Sequence, residues 1–482
     1  MQKIRIFNNL TRSKEELKTV TPGLVKFYSC GPTTYDFLHV GNARALVVGD
    51  LFHRVMKSLG YQVTFVRNYT DVDDKIIDRA NELKVSSIEH ADRFVKECEK
   101  DMQHLGMIPA TFTPKVTETM KEIIQMIEDL IKNGFAYEVN GEVLYHVPLF
   151  KEYGKLSKVQ LESLQHGIRV EVDGHKKHPS DFVLWKPAKP GEPFWESPWG
   201  NGRPGWHIEC SAMAKKYLGK TIDLHHGGVD LQFPHHENEI AQSEAANSCE
   251  FCHTWAHNEF LNFGSEKMSK SLGNVVTIRK FVETYSGEVL RHILLSVHYR
   301  SKLDWSEEAI EKAVQEMERI HIFTIDLKKA FINGIIGEEM VTDLIVTEEK
   351  IREELANDFN VPAAMGLFFG MIKDFNRVSK MGALNTNYAK KLREITTLIQ
   401  EATGLVHKDA DEILKKLNQT KKNLKGSSAG DEAQIEKLIE ERKIARTTKN
   451  WARSDEIRAE LTKLGVEVKD NPDGSVSWTY KA

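Results

Sequence analysis

Cysteine is scarce in this chain: 482 residues contain five. That length suits about three domains with cores of their own, so no disulfide framework is needed, and so few thiols fit a reducing compartment. Long hydrophobic runs are missing too. Nothing approaches the roughly 18 to 20 apolar residues that a membrane-spanning helix requires. The opening stretch MQKIRIFNNLTRSKEELK is too charged to hold the apolar core of a secretory signal, so the expectation is a soluble cytoplasmic protein. No sign of charge dominates, with 66 Lys and Arg against 70 Asp and Glu and a formal net charge of −4. This balance neither indicates nor excludes nucleic acid, because a local basic face is sufficient for binding.

What is present is concentrated between residues 205 and 239, GWHIECSAMAKKYLGKTIDLHHGGVDLQFPHHENE, where groups that bind metals or move protons crowd together. Pro234 suits the first turn of a helix and the residues after it are helix formers, so His235 and Glu239 should stand one turn apart on one face. Zinc takes thiolate, imidazole and carboxylate in a tetrahedron, and Cys210 lies just upstream. Cys30, in KFYSCG, is a distant fourth candidate if its strand end borders the same cleft. A rival lies nearby. Cys249-Glu250-Phe251-Cys252-His253 has the C-x-x-C-H spacing of haem attachment and, with His257, offers a second metal set. Haem attachment needs export, which the N-terminus argues against. Spacing alone leaves both metal sets open, together with a plain reading in which Cys210 is a small buried hydrophobe and Glu239 a solvated surface residue. A zinc protease is excluded, since His236-Glu237-Asn238-Glu239-Ile240 lacks the second histidine of H-E-x-x-H.

Residues 24–68 read as a βαβ unit: the strand LVKFYSCG, a turn with Pro32, a helix through FLHVGNARALVVGDLFHRVMKSLG, and the strand YQVTFVRNYT. In such units phosphates and nucleotides bind at the carboxyl ends of the strands, by the helix N-terminus. His39-Val40-Gly41-Asn42 falls there. Gly41 would let a flat base approach the backbone, while His39 and Asn42 can hydrogen-bond phosphate or ribose oxygens. The Asp-rich Thr70-Asp71-Val72-Asp73-Asp74-Lys75, with Asp78, ends a strand and opens an amphipathic helix, where acidic residues favour the dipole. Residues 112–133 read as a helix, and FAYEVNGEVLYHVP as a hairpin turning at Asn140-Gly141. The Pro, Gly and Trp-rich stretch from Lys186 to Gly205 reads as an ordered loop delivering Trp206 to the cleft. WAHNEFLNFG reads as a strand.

Lys267-Met268-Ser269-Lys270-Ser271 sits in a cationic loop suited to close over a triphosphate. From Ser306 to Leu417 the pattern is helical throughout, with Ala309, Ala313, Met317 and Ile320 as one core-facing stripe. KKNLKGSSAGDE, from Lys421, has linker composition. A helix then carries Arg442, Arg446, Lys449 and Arg453 on one face beside Trp451, a surface suited to splayed RNA bases. The tail reads as a hairpin turning at Pro472-Asp473-Gly474.

These motifs together resemble the bacterial-type cysteinyl-tRNA synthetases, a class I aminoacyl-tRNA synthetase family, over essentially the full chain. Lys267 to Ser271 spells the KMSKS signature and His39-Val40-Gly41-Asn42 corresponds to the HIGH signature. YSCG at Cys30, TDVDDK from Thr70, GRPGWHIECSAM from Gly202 and FPHHENE from Phe233 are the cysteine-specific marks. The resemblance implies an α/β fold: a Rossmann-type catalytic domain with its first half in residues 1–111, an insertion with its Pro, Gly and Trp-rich loop in 112–204, and its second half in 205–264. The KMSKS loop and stem-contact region follow in 265–305, a helical bundle in 306–420, and a small α+β anticodon-recognition module in 421–482. It implies one zinc per chain on Cys30, Cys210, His235 and Glu239, so it selects this set over the Cys249 pair. It further implies catalytic His39, Asn42, Lys267 and Lys270, ATP contacts from His39, Gly41, Asn42 and Lys270, and a cysteine pocket bordered by Cys30, Thr70, Trp206 and Asp230. Magnesium accompanies ATP.

The partners implied are tRNA(Cys), L-cysteine and ATP, with no membrane, and the protein is expected to be a monomer. The activity implied is ATP-dependent formation of cysteinyl-adenylate, then transfer to the tRNA 3′ adenosine, with zinc selecting the substrate thiolate. Two positions depart from the family pattern. Asn42 replaces the second histidine of the signature, which leaves hydrogen bonding but no titration, and His226 stands where a small residue is expected. Two alternatives are a ligase that joins cysteine to an amino-sugar, whose paralogues lack the C-terminal module, and a non-catalytic zinc and RNA-binding relative. Intact Lys267 and Lys270 weigh against the latter.

Overall fold

The computed structural model describes residues 2–160, 175–263, 276–406, 409–424, 429–470 and 476–480. A small antiparallel pair, β1 (Arg5–Asn8) and β2 (Ser13–Glu16), leads into β3 (Leu24–Ser29), α1 (Val40–Ser58) and β4 (Gln62–Arg67). This is the βαβ unit read from the sequence, with β3 and β4 parallel and in register from Leu24 opposite Gln62. The strands are apolar because both faces are covered, and Phe27 stacks on Phe65 at 4.5 Å between ring centres.

The chain then leaves the sheet. After α2 (Asp74–Leu83) and α3 (Ser87–His104) come α4 (Met120–Lys132) and a four-stranded antiparallel sheet of β5 (Ala136–Val139), β6 (Glu142–Tyr145), β7 (Phe182–Pro187) and β8 (Gly202–Pro204). The β5–β6 turn is at Asn140-Gly141, where both residues have positive φ, as the Asn-Gly pair demands. Following α5 (Trp206–Leu218), β9 (Ile222–Gly228) returns beside β3; α6 (Glu237–Asn247) and β10 (Cys252–Asn258) complete a parallel sheet of order β10-β9-β3-β4. This is the split Rossmann-type arrangement expected of the class I fold.

The expected helix over 112–133 begins only at Met120. Residues 112–115 instead run along the free edge of β4, with Arg67 donating to the Phe112 carbonyl at 3.1 Å and Tyr69 to that of Pro114 at 2.8 Å. Pro114 disfavours helix for the residue before it, and an open strand edge offers this segment hydrogen bonds in return. WAHNEFLNFG likewise divides into the end of β10 and a short β11 (Leu261–Asn262).

Beyond the sheet lie α7 (Ile278–Thr284), α8 (Gly287–Leu295), β12 (Leu303–Asp304) and the long α9 (Glu307–Lys329), on which Ala313, Met317 and Ile320 are buried. The stretch expected to be helical throughout is broken by β13 (Ile332–Ile336), which bridges to Leu384, before α10 (Val341–Ala356), α11 (Val361–Val378), α12 (Thr386–Thr403) and α13 (Ala410–Leu424). Its three β-branched isoleucines favour extended backbone, and the central glycine is a poor helix former. Lys421 does not open a linker; it lies in α13, where its ammonium pairs with Glu318 at 2.5 Å. The C-terminal unit of α14 (Ala429–Thr447), α15 (Trp451–Lys463), β14 (Val466–Asp470) and antiparallel β15 (Val476–Tyr480) has its own core of Ile435, Leu438, Ile457, Leu461, Val466 and Val468. The tail is a hairpin as expected, although its turn at 472–474 lies outside the described residues.

The four-cation face does not form. Helix α14 ends at Thr447 and α15 starts at Trp451, with Lys449 between them at φ 57°. Arg442 is buried and Arg453 pairs with Glu441, Glu456 and Glu460. Of the set, Arg446 faces half-exposed Trp451, its guanidinium 5.7 Å from the ring centre.

Candidate active site

A parallel strand covered on both faces is ordinarily a continuous apolar run. Strands β9 (IDLHHGG) and β10 (CHTWAHN) break that pattern, since all of β9 is buried and yet it carries Asp223, His225 and His226, and buried His257 is the penultimate residue of β10. Asp223 is satisfied structurally, accepting from the Val20 and Lys26 amides at 2.7 Å each. The histidines are not all so closed. His225 Nδ1 and His257 Nδ1 are buried with no hydrogen-bond partner among the described residues. Burial drives His257 down to about 3 and His236 well below the ordinary imidazole value, so both rings are neutral at physiological pH.

At the carboxyl ends of these strands four groups converge. Cys30 follows β3, Cys210 lies on α5, and His235 and Glu239 come from the turn before α6 and from its first turn. Helix α6 starts at Glu237 and not at Pro234, whose peptide with Phe233 is cis; His235 is nevertheless helical enough to stand one turn from Glu239. Cys30 Sγ is 4.0 Å from Cys210 Sγ and 3.7 Å from Glu239 Oε1, and His235 Nε2 is 3.1 Å from the same oxygen. All four donor atoms lie within 4.8 Å of one another. Zinc bonds of about 2.0 to 2.3 Å give tetrahedral edges of about 3.3 to 3.8 Å, so this set is already close to the size of a zinc tetrahedron.

The electrostatics agree with that size. A hydrogen bond from Cys30 lowers the Cys210 thiol to about 6, whereas burial pushes Cys30 well up. Burial alone would raise Glu239, but His225 and His235 beside it hold it at about 2. Burial would likewise lower His235, and Glu239 and Cys210 hold it up at about 10. The second nitrogen of His235, Nδ1, is 2.9 Å from His207 Nδ1, which leaves Nε2 facing the cluster.

A second metal-sized group, Cys30, His225, His236 and Glu239, shares two members with the first. The first contains two sulfurs and is the softer, better match for zinc. In the second, His225 Nε2 is hydrogen-bonded to Glu239 Oε2 at 2.9 Å and His236 Nδ1 to His257 Nε2 at 2.8 Å, so these rings brace the ligands. The Cys249 set is not assembled: the Cys252 thiol donates to the Thr254 carbonyl at 3.1 Å, Cys249 accepts from the Thr221 hydroxyl at 3.8 Å, and His257 belongs to the histidine group.

His39 is the N-cap of α1 and forms a reciprocal box with Asn42: His39 Nδ1 accepts from the Asn42 amide at 3.3 Å, and Asn42 Oδ1 from the His39 amide at 3.2 Å. Asparagine thus fills the helix position that the box requires, and the acceptor role of Nδ1 places the ring proton of His39 on Nε2. A Cβ at Gly41 would lie 2.9 Å from His39 Nδ1, so the space this glycine opens is occupied by the histidine ring. Val40 donates to the Val276 carbonyl at 3.0 Å and Ile278 to that of Leu38 at 2.9 Å, which ties the segment after the KMSKS loop to this turn. Lys267 and Lys270 themselves lie outside the described residues. Trp206 is 40% exposed and stacks on His235 at 4.3 Å between ring centres. Asp230 is exposed beyond β9, its carboxylate folded against Gly228. Thr70 is buried and donates to Glu209 Oε2 at 3.1 Å. Sequence reasoning missed Glu209, Asn68, His236 and His257 as parts of this neighbourhood. Polar residues on strands that ought to be apolar were the available signal for His257.

The family model for the tRNA synthetases class I (C) catalytic domain matches residues 16–315. A cysteine–tRNA ligase from Geobacter sulfurreducens is 46% identical over 99% of this chain and 100% of its own length. The chain belongs to the cysteinyl-tRNA synthetase family. The cysteine–tRNA ligase of Bdellovibrio bacteriovorus is 43% identical over 98% of both chains. A DALR domain model matches residues 350–406, the region of α10 to α12, and the cysteinyl-tRNA ligase anticodon binding domain matches 430–478. Among solved structures, Mycobacterium tuberculosis methionyl-tRNA synthetase with methionyl-adenylate superposes with a TM-score of 0.60 at 16% identity, covering 81% of this chain and 93% of that one. A LeuRS–tRNA–LeuAMS complex from Agrobacterium radiobacter gives 0.58 at 11% identity, covering 83% of this chain and 86% of that one. Both show the synthetase fold. No described helix of this family member is long and apolar enough to cross a membrane.

Proposed function

We propose that this synthetase attaches L-cysteine to tRNA(Cys) in two steps. The observation that carries the reading is the convergence of Cys30, Cys210, His235 and Glu239 at zinc-tetrahedral spacing, in a chain that also has the His39–Asn42 box at the N-terminus of α1. The four side chains would hold zinc, which when bound supplies a soft Lewis acid that accepts a thiolate far more readily than a neutral hydroxyl. That preference is the basis for rejecting serine, which differs from cysteine by one atom and would enter any pocket shaped for it.

The remaining roles belong to the protein's own groups. Thr70, Trp206 and Asp230 form walls of the cysteine pocket. The amino-acid carboxylate attacks the α-phosphorus of ATP and pyrophosphate leaves, a displacement that needs positioning and charge stabilisation more than covalent help. His39 donates from Nε2 to phosphate oxygen, and Asn42 both fixes the imidazole and offers its Nδ2 hydrogens. Lys267 and Lys270 meet the charge that grows on the leaving pyrophosphate, and magnesium accompanies ATP. The cysteinyl group then passes to the 3′ adenosine of the tRNA, held at a distance by the C-terminal unit. The amino-sugar ligase alternative loses support because an anticodon-binding match covers residues 430–478. Cysteine-dependent exchange of labelled pyrophosphate into ATP tests the reading. Exchange that serine stimulates equally, or that persists without any amino acid, would overturn it.

A further inference from the structure

Cys30 and Cys210 approach to 4.0 Å although they are 180 residues apart and sit on different elements, one beyond the end of β3 and the other on α5. A chain of three hydrogen bonds, the second and third of them buried, joins the residues flanking them. Gly31, next to Cys30, donates its amide to Asn68 Oδ1 at 2.9 Å; Asn68 Nδ2 reaches Thr70 Oγ1 at 3.4 Å; and Thr70 Oγ1 donates to Glu209 Oε2 at 3.1 Å. Glu209 immediately precedes Cys210. The contact at the first link is close enough that a Cβ on Gly31 would lie 1.7 Å from the Asn68 carbonyl oxygen. Thr70 also donates its amide to the Pro32 carbonyl at 3.2 Å, so the turn carrying Cys30 is held at two points.

Asn68, Thr70 and Glu209 are 1%, 2% and 1% exposed. No Lys, Arg or His among the described residues pairs with Glu209, whose side-chain hydrogen bond is to Thr70. A buried carboxyl without a cation is a poor way to stabilise a helix turn, and an apolar side chain of the same size would pack there at lower cost. Its acceptor oxygen, in contrast, ties α5 to the end of β4 and through Asn68 to the Cys30 turn.

We infer that Glu209 and Asn68, joined by the Thr70 hydroxyl, are positioning residues that set the spacing of Cys30 and Cys210 for the metal. The inference rests on the zinc reading above. It assigns Thr70 a role through its neighbours in addition to its place in the pocket. Partners that orient ligands in this way typically contribute about 10- to 100-fold in metal affinity.

The test is zinc affinity measured by competition with a chromophoric chelator on the full-length chain, together with the thiolate-to-metal absorption of the cobalt-substituted protein. Glu209→Leu should weaken zinc binding about 10- to 100-fold and shift the cobalt spectrum. Glu209→Gln, whose amide oxygen still accepts from Thr70, should stay within about threefold of the parent. Thr70→Val removes the middle link with little change of shape and should match Glu209→Leu, which covers the case in which the leucine variant does not fold. Parent-like affinity and spectrum in Thr70→Val or in folded Glu209→Leu would overturn the positioning role while leaving the zinc reading intact. Absence of zinc binding by the parent protein would overturn both.

Discussion

Two groups of ionisable residues inside the protein, one centred on Asp50 of α1 and one at the end of β3, are built differently. At the junction with the helical region, Asp50 on α1 accepts from the Ile108 amide at 2.9 Å and from Arg54 at 2.8 Å, and pairs with Arg291 on α8. Arg291 also donates to the carbonyls of Leu105 and Thr403, so one guanidinium joins α1 to the ends of α3 and α12. Neither side chain leaves a buried polar atom without a partner. The group around Cys30 and Glu239 is the reverse: two thiols, an imidazole and a carboxylate face one another within 4.8 Å, beside histidine ring nitrogens that have no partner among the described residues. Buried polar groups that serve stability are closed among themselves. Those that serve chemistry keep capacity for something not yet bound, and the protein tolerates the cost because its large core lies elsewhere.

The largest expected effect would come from opening the closed group. Asp50→Asn strands the buried Arg291 charge and should lower unfolding free energy by about 3 to 5 kcal/mol in denaturant titration, while zinc per folded chain stays unchanged. Loss of metal at unchanged stability would break the contrast. Asp50 also predicts a pH dependence. Burial by itself would raise its carboxyl, but Arg291 and Arg54 outweigh burial and hold it below the ordinary value. A depressed carboxyl contributes stability that is fully present above the unfolded-state value of about 4 and is lost as pH falls through the lower folded-state value. Asp50→Asn should therefore flatten the acid limb of the stability curve below about pH 4.

Emptying the open group should act in the opposite sense. Cys210→Ser should reduce zinc affinity by at least about 100-fold and cysteine-dependent pyrophosphate exchange with it, but change the stability of the metal-free chain by only about 1 to 2 kcal/mol. Equal losses of stability from Cys210→Ser and Asp50→Asn would erase the distinction. Lys270→Ala should slow adenylate formation by about 100-fold in pre-steady-state kinetics with little change in cysteine binding, because the charge it meets develops as pyrophosphate departs.

The smallest effect on the catalytic unit should follow removal of residues 425–482. The cut belongs after Leu424 because Lys416, Thr420 and Lys421 anchor α13 to Val282, Thr284 and Glu318. The shortened chain should keep pyrophosphate exchange within about twofold and charge tRNA poorly, since distant contacts position the RNA without touching the chemistry. Equal charging by both chains would remove the anticodon role from this unit.

Features carried by local spacing were legible in the amino-acid order. The β3–α1–β4 unit follows from its apolar periodicity, the β5–β6 turn from Asn140-Gly141, and the proximity of His235 to Glu239 from one helical turn. The motif pair at His39 and Lys267 identified the family for the same reason: short motifs keep their meaning without knowledge of the fold. Tertiary structure decided the rest. Residues 112–115 became an edge pairing because β4 had an open side, and β13 interrupted a helical stretch because Leu384 was there to bridge it. The four cations expected on one face were separated by a helix break at 448–450, with Arg442 buried and Arg453 paired to Glu441, Glu456 and Glu460.

The metal cluster divides in the same way. Its His235–Glu239 half is a property of one helical turn, whereas the meeting of Cys30 with Cys210 depends on β9 returning to lie beside β3 after a long insertion. Strand order is set by the packing of the whole sheet, and no spacing within either segment encodes it.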